Sequence, residues 1–322
     1  MRLAAYILAA DPTWVRSSVL AYYAHVSRIV VSYDRNGLGW SGSPVPARRC
    51  IAALRAIDSD RKLRFVPGDF AGTHEDLMAA ETAQRQAALD VAGLGADWVL
   101  QLDTDEVLPD AAALCRTLAG VDRRYEAVAW PMRVLYRRLR GGRYLEVAAE
   151  DGGLHVEYPG PVAVRAGATL HHARHPTGPV LKVPLEPPVR AVVVDVAAAE
   201  RAAVDVVAVE RGAAPAAVLT SPASTGGGER VAAHAPSCPT ATPEQVIWHN
   251  SWARSPRSVR RKVLSWGHGG PEMLEYYQHV WLPSAKTWPH LRDLHPLDGP
   301  RWHHLRAAPP RPFRLARRDR PR

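Results

Sequence analysis

The chain has 322 residues, 47% hydrophobic and 23% charged, with 41 Lys and Arg against 32 Asp and Glu for a formal net charge of +9. That length can bury a full core as one large α/β domain or as two smaller ones. No apolar run approaches the roughly 20 residues needed to cross a bilayer. Cys50, Cys115 and Cys238 show neither pairing nor ligand spacing, which argues for a reducing compartment and against a structural zinc site. The apolar start breaks at Asp11-Pro12, before a signal-peptide core is complete, so a cytoplasmic location is expected. The aromatic spacing of a nucleic-acid module is absent, so nucleic acid is not expected as a partner.

The first 135 residues alternate strand and helix signals. Leu3 to Ala9 is an apolar strand candidate. Asp11 is placed to cap a helix with Pro12 at its first position, followed by Trp14, Val15, Val19, Tyr22, Tyr23 and Val26 at helical spacing. Ile29 to Tyr33 reads as a second strand, ending at Asp34 and a loop carrying Asn36, Gly37, Gly39 and Gly42. Cys50 to Ile57 looks helical, and Leu63 to Val66 is a third strand. Thr73, with Asp76 three residues on, is expected to open a long helix that stops near Gly93. A fourth strand, Trp98 to Leu102, follows. Such alternation predicts an α/β fold with a mostly parallel sheet, right-handed crossovers and flanking helices.

The middle and end differ in texture. Ala127 to His175 suggests short strands and turns. Residues 184–244 contain a ten-residue duplication, Val192 to Arg201 echoed by Ala202 to Arg211, then a Ser-, Thr-, Pro- and Gly-rich run, and read as an insertion or linker. Val246 to His249 resumes strand character, and Ser255-Pro256 starts a helix carrying Arg257, Arg260, Arg261 and Lys262. The expected layout is a catalytic core over 1–183, the insertion over 184–244, a C-terminal part of the core over 245–300 and a basic, disordered tail over 301–322. That tail has eight arginines against the single acid Asp319, a composition suited to the anionic inner face of a membrane.

Asp103-Thr104-Asp105-Glu106 carries the most chemistry. Alternate residues of an extended chain point the same way, so Asp103 and Asp105 are expected to face one site. Two hard oxygen donors there suit a divalent cation that keeps positions open for substrate phosphates. A simple turn after a strand would carry the same residues. Ligands of such sheets bind beyond the carboxyl ends of the strands, where Asp11, Asp34 and Asp103 all fall. His171, His172 and His175 form a possible metal cluster on spacing alone, and an acceptor pocket or surface reading is kept beside it.

Taken together, Asp11, Asp34, Arg85 in the helix before the fourth strand, and Asp103-Thr104-Asp105-Glu106 resemble the family-2-like glycosyltransferases of the GT-A fold. His249 in Trp248-His249-Asn250-Ser251, with Lys262 and Ser265-Trp266-Gly267-His268, is similar to that family's C-terminal elements. The resemblance implies a GT-A type, Rossmann-like mostly parallel sheet with a C-terminal helical segment. It implies an inverting transfer from a nucleotide-sugar donor to a glycan, lipid-linked or small-molecule acceptor. Asp11 and Asp34 would contact nucleoside, Arg85 phosphate and Asp103 ribose or metal-bound water. Mg²⁺ or Mn²⁺ would be held by Asp105, with Asp103 and His249 completing the set. Arg85 has a second reading, an i,i+4 ion pair with Glu81. The catalytic base is expected among Glu146, Glu150, Asp151 and Glu157, with Glu157 preferred. A nucleotidyltransferase, or a non-catalytic protein on the same scaffold, are the alternatives.

Overall fold

The computed structural model describes residues 1–72, 76–186, 239–265 and 271–311. These described residues belong to one compact unit. In chain order its first part runs β1 (Leu3–Leu8), α1 (Val15–Tyr22), β2 (Ile29–Asp34), α2 (Ala47–Arg55), β3 (Leu63–Gly68), α3 (Leu77–Gly93), β4 (Trp98–Leu100), β5 (Glu106–Val107), α4 (Ala111–Gly120) and β6 (Ala127–Ala129). Strands β7 (Met132–Arg138), β8 (Tyr144–Ala148), β9 (Ala163–Arg165), β10 (Leu170–His172), β11 (His175–Pro176) and β12 (Val180–Lys182) follow. The last part holds β13 (Ile247–His249), α5 (Pro256–Ser265), α6 (Pro271–Tyr276), α7 (Ser284–Thr287) and β14 (His304–Ala307). Among the described residues no helix is long and apolar enough to cross a membrane.

Seven strands form the main sheet in the order β12-β6-β9-β4-β1-β2-β3. Strands β3, β2, β1 and β4 pair in parallel, and β9 runs antiparallel between β4 and β6. This is the expected α/β architecture. The central strands are buried on both sides, which is why they read as continuous apolar runs rather than alternating ones. Leu3, Ala5 and Ile7 of β1 join the core on one face, with Val15, Val19 and Leu54 from α1 and α2. Tyr6 and Leu8 point to the other face, where Ala88, Leu89 and Ala92 of α3 cover them. Burying an Ile or Leu fully contributes on the order of 2 kcal/mol, so the alternation fixes the register.

A second sheet, in the order β14-β8-β7-β13-β5, is packed by the C-terminal helices. Trp252, Val259, Val263, Met273, Tyr277 and Trp281 share its core with Tyr136 and Val147. Tyr277 and Trp281 are buried there, as their helical spacing predicts. Strand β13 joins the late chain to the early one, pairing parallel with β7 and antiparallel with β5, so that His249 lies opposite Glu106.

Several boundaries depart from the sequence expectations. Helix α1 begins at Val15 after Trp14, with no side-chain cap; the Asp11 carboxylate instead accepts from Thr13 N and Oγ1. Helix α3 begins at Leu77 with Asp76 as its cap, accepting from Met78 N at 2.9 Å, while Thr73 lies outside the described residues. Residues 187–238, which hold the duplicated run, and Trp266 to His268 also lie outside them. The edges of the predicted insertion belong to the core, because Leu185 bridges Ala241, which is fully buried. Residues 301–311 are not a disordered tail. They supply β14, which pairs antiparallel with β8, and Arg306, whose guanidinium meets the buried Glu146 at 2.8 Å.

Candidate active site

A cavity of about 600 Å³ opens beyond the carboxyl ends of β1 and β4. It is lined by Asp11, Arg85, Asp103, Asp105, Glu157, His249 and others, so six of the seven residues singled out for the site meet in one place. The seventh, Asp34, does not line it. Asp34 Oδ1 accepts from Asn36 N (2.9 Å) and Leu38 N (3.3 Å), and Oδ2 from Phe70 N (3.0 Å) and Ala71 N (3.2 Å). Burial raises its pKa, but these four N–H groups more than offset that and leave the carboxyl below its ordinary value. Its acceptor capacity is spent on tying two loops together, so the expected nucleobase contact is replaced by a structural one.

The two carboxylates of Asp103-Thr104-Asp105 do not project side by side from a strand. Strand β4 ends at Leu100, and a turn closes with Glu106 N donating to Asp103 O. A turn aims successive side chains differently from an extended chain, and each acid takes its own cation. Arg85 Nη2 donates to both oxygens of Asp103, at 3.0 and 3.2 Å. The same guanidinium reaches Glu81 at 2.8 Å, so the i,i+4 pair read from the sequence forms alongside the contact to Asp103. Both contacts orient Asp103, while Arg85 Nη1 has no hydrogen-bond partner among the described residues. Asp105 Oδ2 accepts from Arg254 Nη2, and Arg254 Nη1 donates to Asp11 Oδ2. Burial would raise both acids, yet Arg85 then Arg174 hold Asp103 below its ordinary pKa, and Arg254 then His249 hold Asp105 far below it. Both are therefore ionised at neutral pH.

A buried frame holds this turn. Glu106 is fully buried and is chelated by Arg174 at 2.7 and 2.8 Å, while its Oε2 also accepts from Asp103 N at 2.9 Å. Arg174 reaches in past Gly160, where a Cβ would stand 2.7 Å from its Nε. Gln101 binds Tyr6 and the carbonyls of Pro161 and Arg174 at 2.7–2.9 Å. Asn250, next to His249, closes on the Asp105 carbonyl through both its backbone N (2.8 Å) and its Nδ2 (2.9 Å).

The donors do not assemble the expected divalent-cation site. A hard cation needs several free oxygens on one point. Asp103 is chelated by Arg85, and the Asp105 oxygen that faces His249 Nε2, at 3.8 Å, is the one Arg254 holds. Among the described residues, no group of three His, Cys, Asp or Glu side chains comes together as a metal set, the histidines at 171, 172 and 175 included.

Of the four candidate bases, Glu157 alone lines the cavity. Glu146 is fully buried between Arg133 and Arg306. Asp151 is spent on the Gly153 N–H. Glu157 Oε1 accepts from Trp302 Nε1 (2.8 Å) and meets Arg301 (2.7 Å) and His155 (3.6 Å). Burial raises its carboxyl, but His155, Trp302 and Arg301 bring it down to about 2.

Arg254 falls within the Trp248 to Ser255 segment that carries the resemblance, and Trp302 is one of the late aromatics able to stack on a sugar, but the sequence assigns neither of them, nor Arg174 or Arg301, the contacts seen here. Their partners lie far along the chain, 243 residues away for Arg254 and Asp11, and no local spacing marks them.

No protein-family model matches the sequence, and no curated protein matches it. Solved structures it is similar to include a 4-diphosphocytidyl-2C-methyl-D-erythritol synthase, at 16% identity over 52% of this chain and 76% of that one, with a TM-score of 0.31. Another is residues 1–349 of S. aureus TarS, at 13% identity, 44% and 37% coverage and a TM-score of 0.27. A third is the mannose-1-phosphate geranyltransferase from Thermus thermophilus, at 14% identity, 50% and 51% coverage and a TM-score of 0.23. The chain spans about a third and a half of the length of the last two.

Proposed function

We propose that this protein is a transferase that moves a glycosyl group from a nucleotide-sugar donor to an acceptor hydroxyl with inversion. The observation that supports the reading best is the convergence of Asp11, Asp103 and Asp105 with Arg254 and Lys262 on one cavity that Glu157 also lines. Carboxylates accept from sugar and ribose hydroxyls, whereas Arg and Lys bind phosphate oxygens through charge-assisted hydrogen bonds. In the step itself the bond between the anomeric carbon and the diphosphate oxygen breaks, and its electron pair leaves with the nucleoside diphosphate. The acceptor oxygen bonds to that carbon from the other side, and its proton passes to Glu157. The Glu157 carboxyl is ionised at neutral pH and so is able to accept a proton, although the donors that lower it to about 2 also make it a weaker base than a free carboxylate. The same reading expects a cytoplasmic protein, in keeping with Cys50 and Cys115, which are free among the described residues, and a glycan, lipid-linked or small-molecule acceptor.

Incubation with UDP-, GDP- and dTDP-sugars tests this by the nucleotide product. Release of a nucleoside diphosphate from one of them is expected. Release of a sugar 1-phosphate with transfer of the nucleoside monophosphate to the acceptor would replace the reading with nucleotidyl transfer. Glu157→Gln should keep donor affinity within about two-fold and lose transfer by on the order of 10²-fold or more. Wild-type turnover in that variant would remove Glu157 as the base.

A further inference from the structure

Asp11 follows β1 and Asp105 follows β4, adjacent parallel strands of the sheet, so their carboxylates converge beyond one edge. The point of convergence is taken by the Arg254 guanidinium, one terminal nitrogen on each acid. The Arg254 side chain is nine-tenths buried, and its Nε–H finds no acceptor among the described residues. A guanidinium has five N–H donors in a fixed fork. The two carboxylates use one from each terminal nitrogen, and the second N–H of each remains for another anion, the Nε–H being itself enclosed. Lys262 and Arg261, from the helix that begins two residues after Arg254, line the same cavity. Lys262 is steered there by a bond to Ser251 Oγ. Arg254 balances one of the two acids, and Lys262 and Arg261 bring the wall to three positive groups against the two carboxylates, a net charge of +1 toward a further anion.

We propose that Arg254 is the resident cation of this site, standing where Asp11 and Asp105 would otherwise gather a divalent metal, and that with Lys262 it binds the donor's diphosphate without one. The assignment rests on the glycosyl-transfer reading only for the identity of the anion. When the glycosidic oxygen leaves, its charge develops on a diphosphate already held by fixed guanidinium and ammonium donors, so no metal has to be recruited.

Two probes test this on the full chain: Mn²⁺ alone, and inorganic pyrophosphate alone in EDTA, each by titration calorimetry. Wild type should bind pyrophosphate in EDTA, and Mn²⁺ only weakly. Arg254→Gln should bind pyrophosphate at least ten-fold more weakly and Mn²⁺ at least ten-fold more tightly, because it releases the acids the guanidinium holds. Asp105→Asn covers the case in which Arg254→Gln does not fold. It frees an Arg254 N–H from a charged partner, so pyrophosphate binding in EDTA should hold or tighten. Strict dependence of pyrophosphate binding on Mn²⁺ in wild type, or its loss in Asp105→Asn, would overturn the assignment. If pyrophosphate binds as expected but no nucleotide sugar is turned over, the glycosyl-transfer reading fails and the role of Arg254 stands.

Discussion

Lys262 shows how a single side chain is set by its surroundings. Burial first, then the positive charge of Arg254, bring its ammonium down to about 8, against the opposing pull of Asp105, Asp103 and Asp11. The sign follows directly: below pH 8 the side chain is charged and attracts an anion, and above it the charge is lost. Pyrophosphate affinity is therefore expected to fall by about ten-fold between pH 7 and pH 9, one proton being lost over that window. Lys262→Arg should flatten that loss, since a guanidinium stays charged throughout, and it corrects for the titration of pyrophosphate itself. A wild-type profile no steeper than that of the arginine variant would mean that Lys262 does not touch the anion. The sequence marks Lys262 through its place among the C-terminal elements of the resembled family, but its lowered pKa is not legible there, where it is one of four basic residues on a helix. What separates it from Arg257 and Arg260 is the cavity it lines.

At the scale of elements, the sequence is most readable where both faces of a strand are buried. Strands β1, β2 and β4 announce themselves as apolar runs, and each is followed within three residues by an acid or ends at one. It is least readable where a polar side chain has two suitors. Asp11 looks like a helix cap but is drawn to Thr13 and to Arg254, and the helix starts later. Asp103 and Asp105 look like neighbours on a strand, but the turn that separates them is specified by Glu106, Arg174 and Asn250, which the fold brings in from three different segments. Asp34 is the sharpest case: a strand-end acid in the position of a ligand contact that serves as the rivet between the loops after β2 and β3. Asp34→Ala should therefore lower stability by about 3 kcal/mol, since it strands backbone N–H groups that a buried carboxylate had satisfied. The loss should appear as a lower denaturation midpoint at unchanged slope, with pyrophosphate affinity unaltered. A variant of unchanged stability and weakened nucleotide binding would return Asp34 to the ligand.

For the whole molecule, the arginines near the C-terminus fall into three within the described residues and five beyond them. Arg301, Arg306 and Arg311 belong to the fold: Arg301 meets Glu157, Arg306 meets Glu146, and Arg311 lies 4.0–4.6 Å from the ring centres of Tyr144 and Trp14 while donating to Asn250 Oδ1. Burial brings Arg311 down to about 10, so it stays charged at neutral pH and its stacking contacts persist. Through Asn250 it reaches the residue that closes on the Asp105 carbonyl. Arg314, Arg317, Arg318, Arg320 and Arg322 follow, with Asp319 the only acid among them. Truncation after Arg311 and truncation after His303 should therefore behave differently. The first should leave the melting temperature and pyrophosphate affinity unchanged. The second removes β14 and takes Arg306 from the fully buried Glu146, leaving Arg133 to face that carboxylate, so it should cost about 3 kcal/mol or more and lower the melting temperature by several degrees. Association with anionic vesicles separates the outer set: each Arg near such a surface contributes about 1 kcal/mol, screened by salt. The full chain should sediment with phosphatidylserine vesicles at low ionic strength and be released at high salt, and the chain ending at Arg311 should stay in the supernatant under both conditions. Equal sedimentation of the two chains would move the membrane contact onto the folded unit and leave the residues after Arg311 without a part in it.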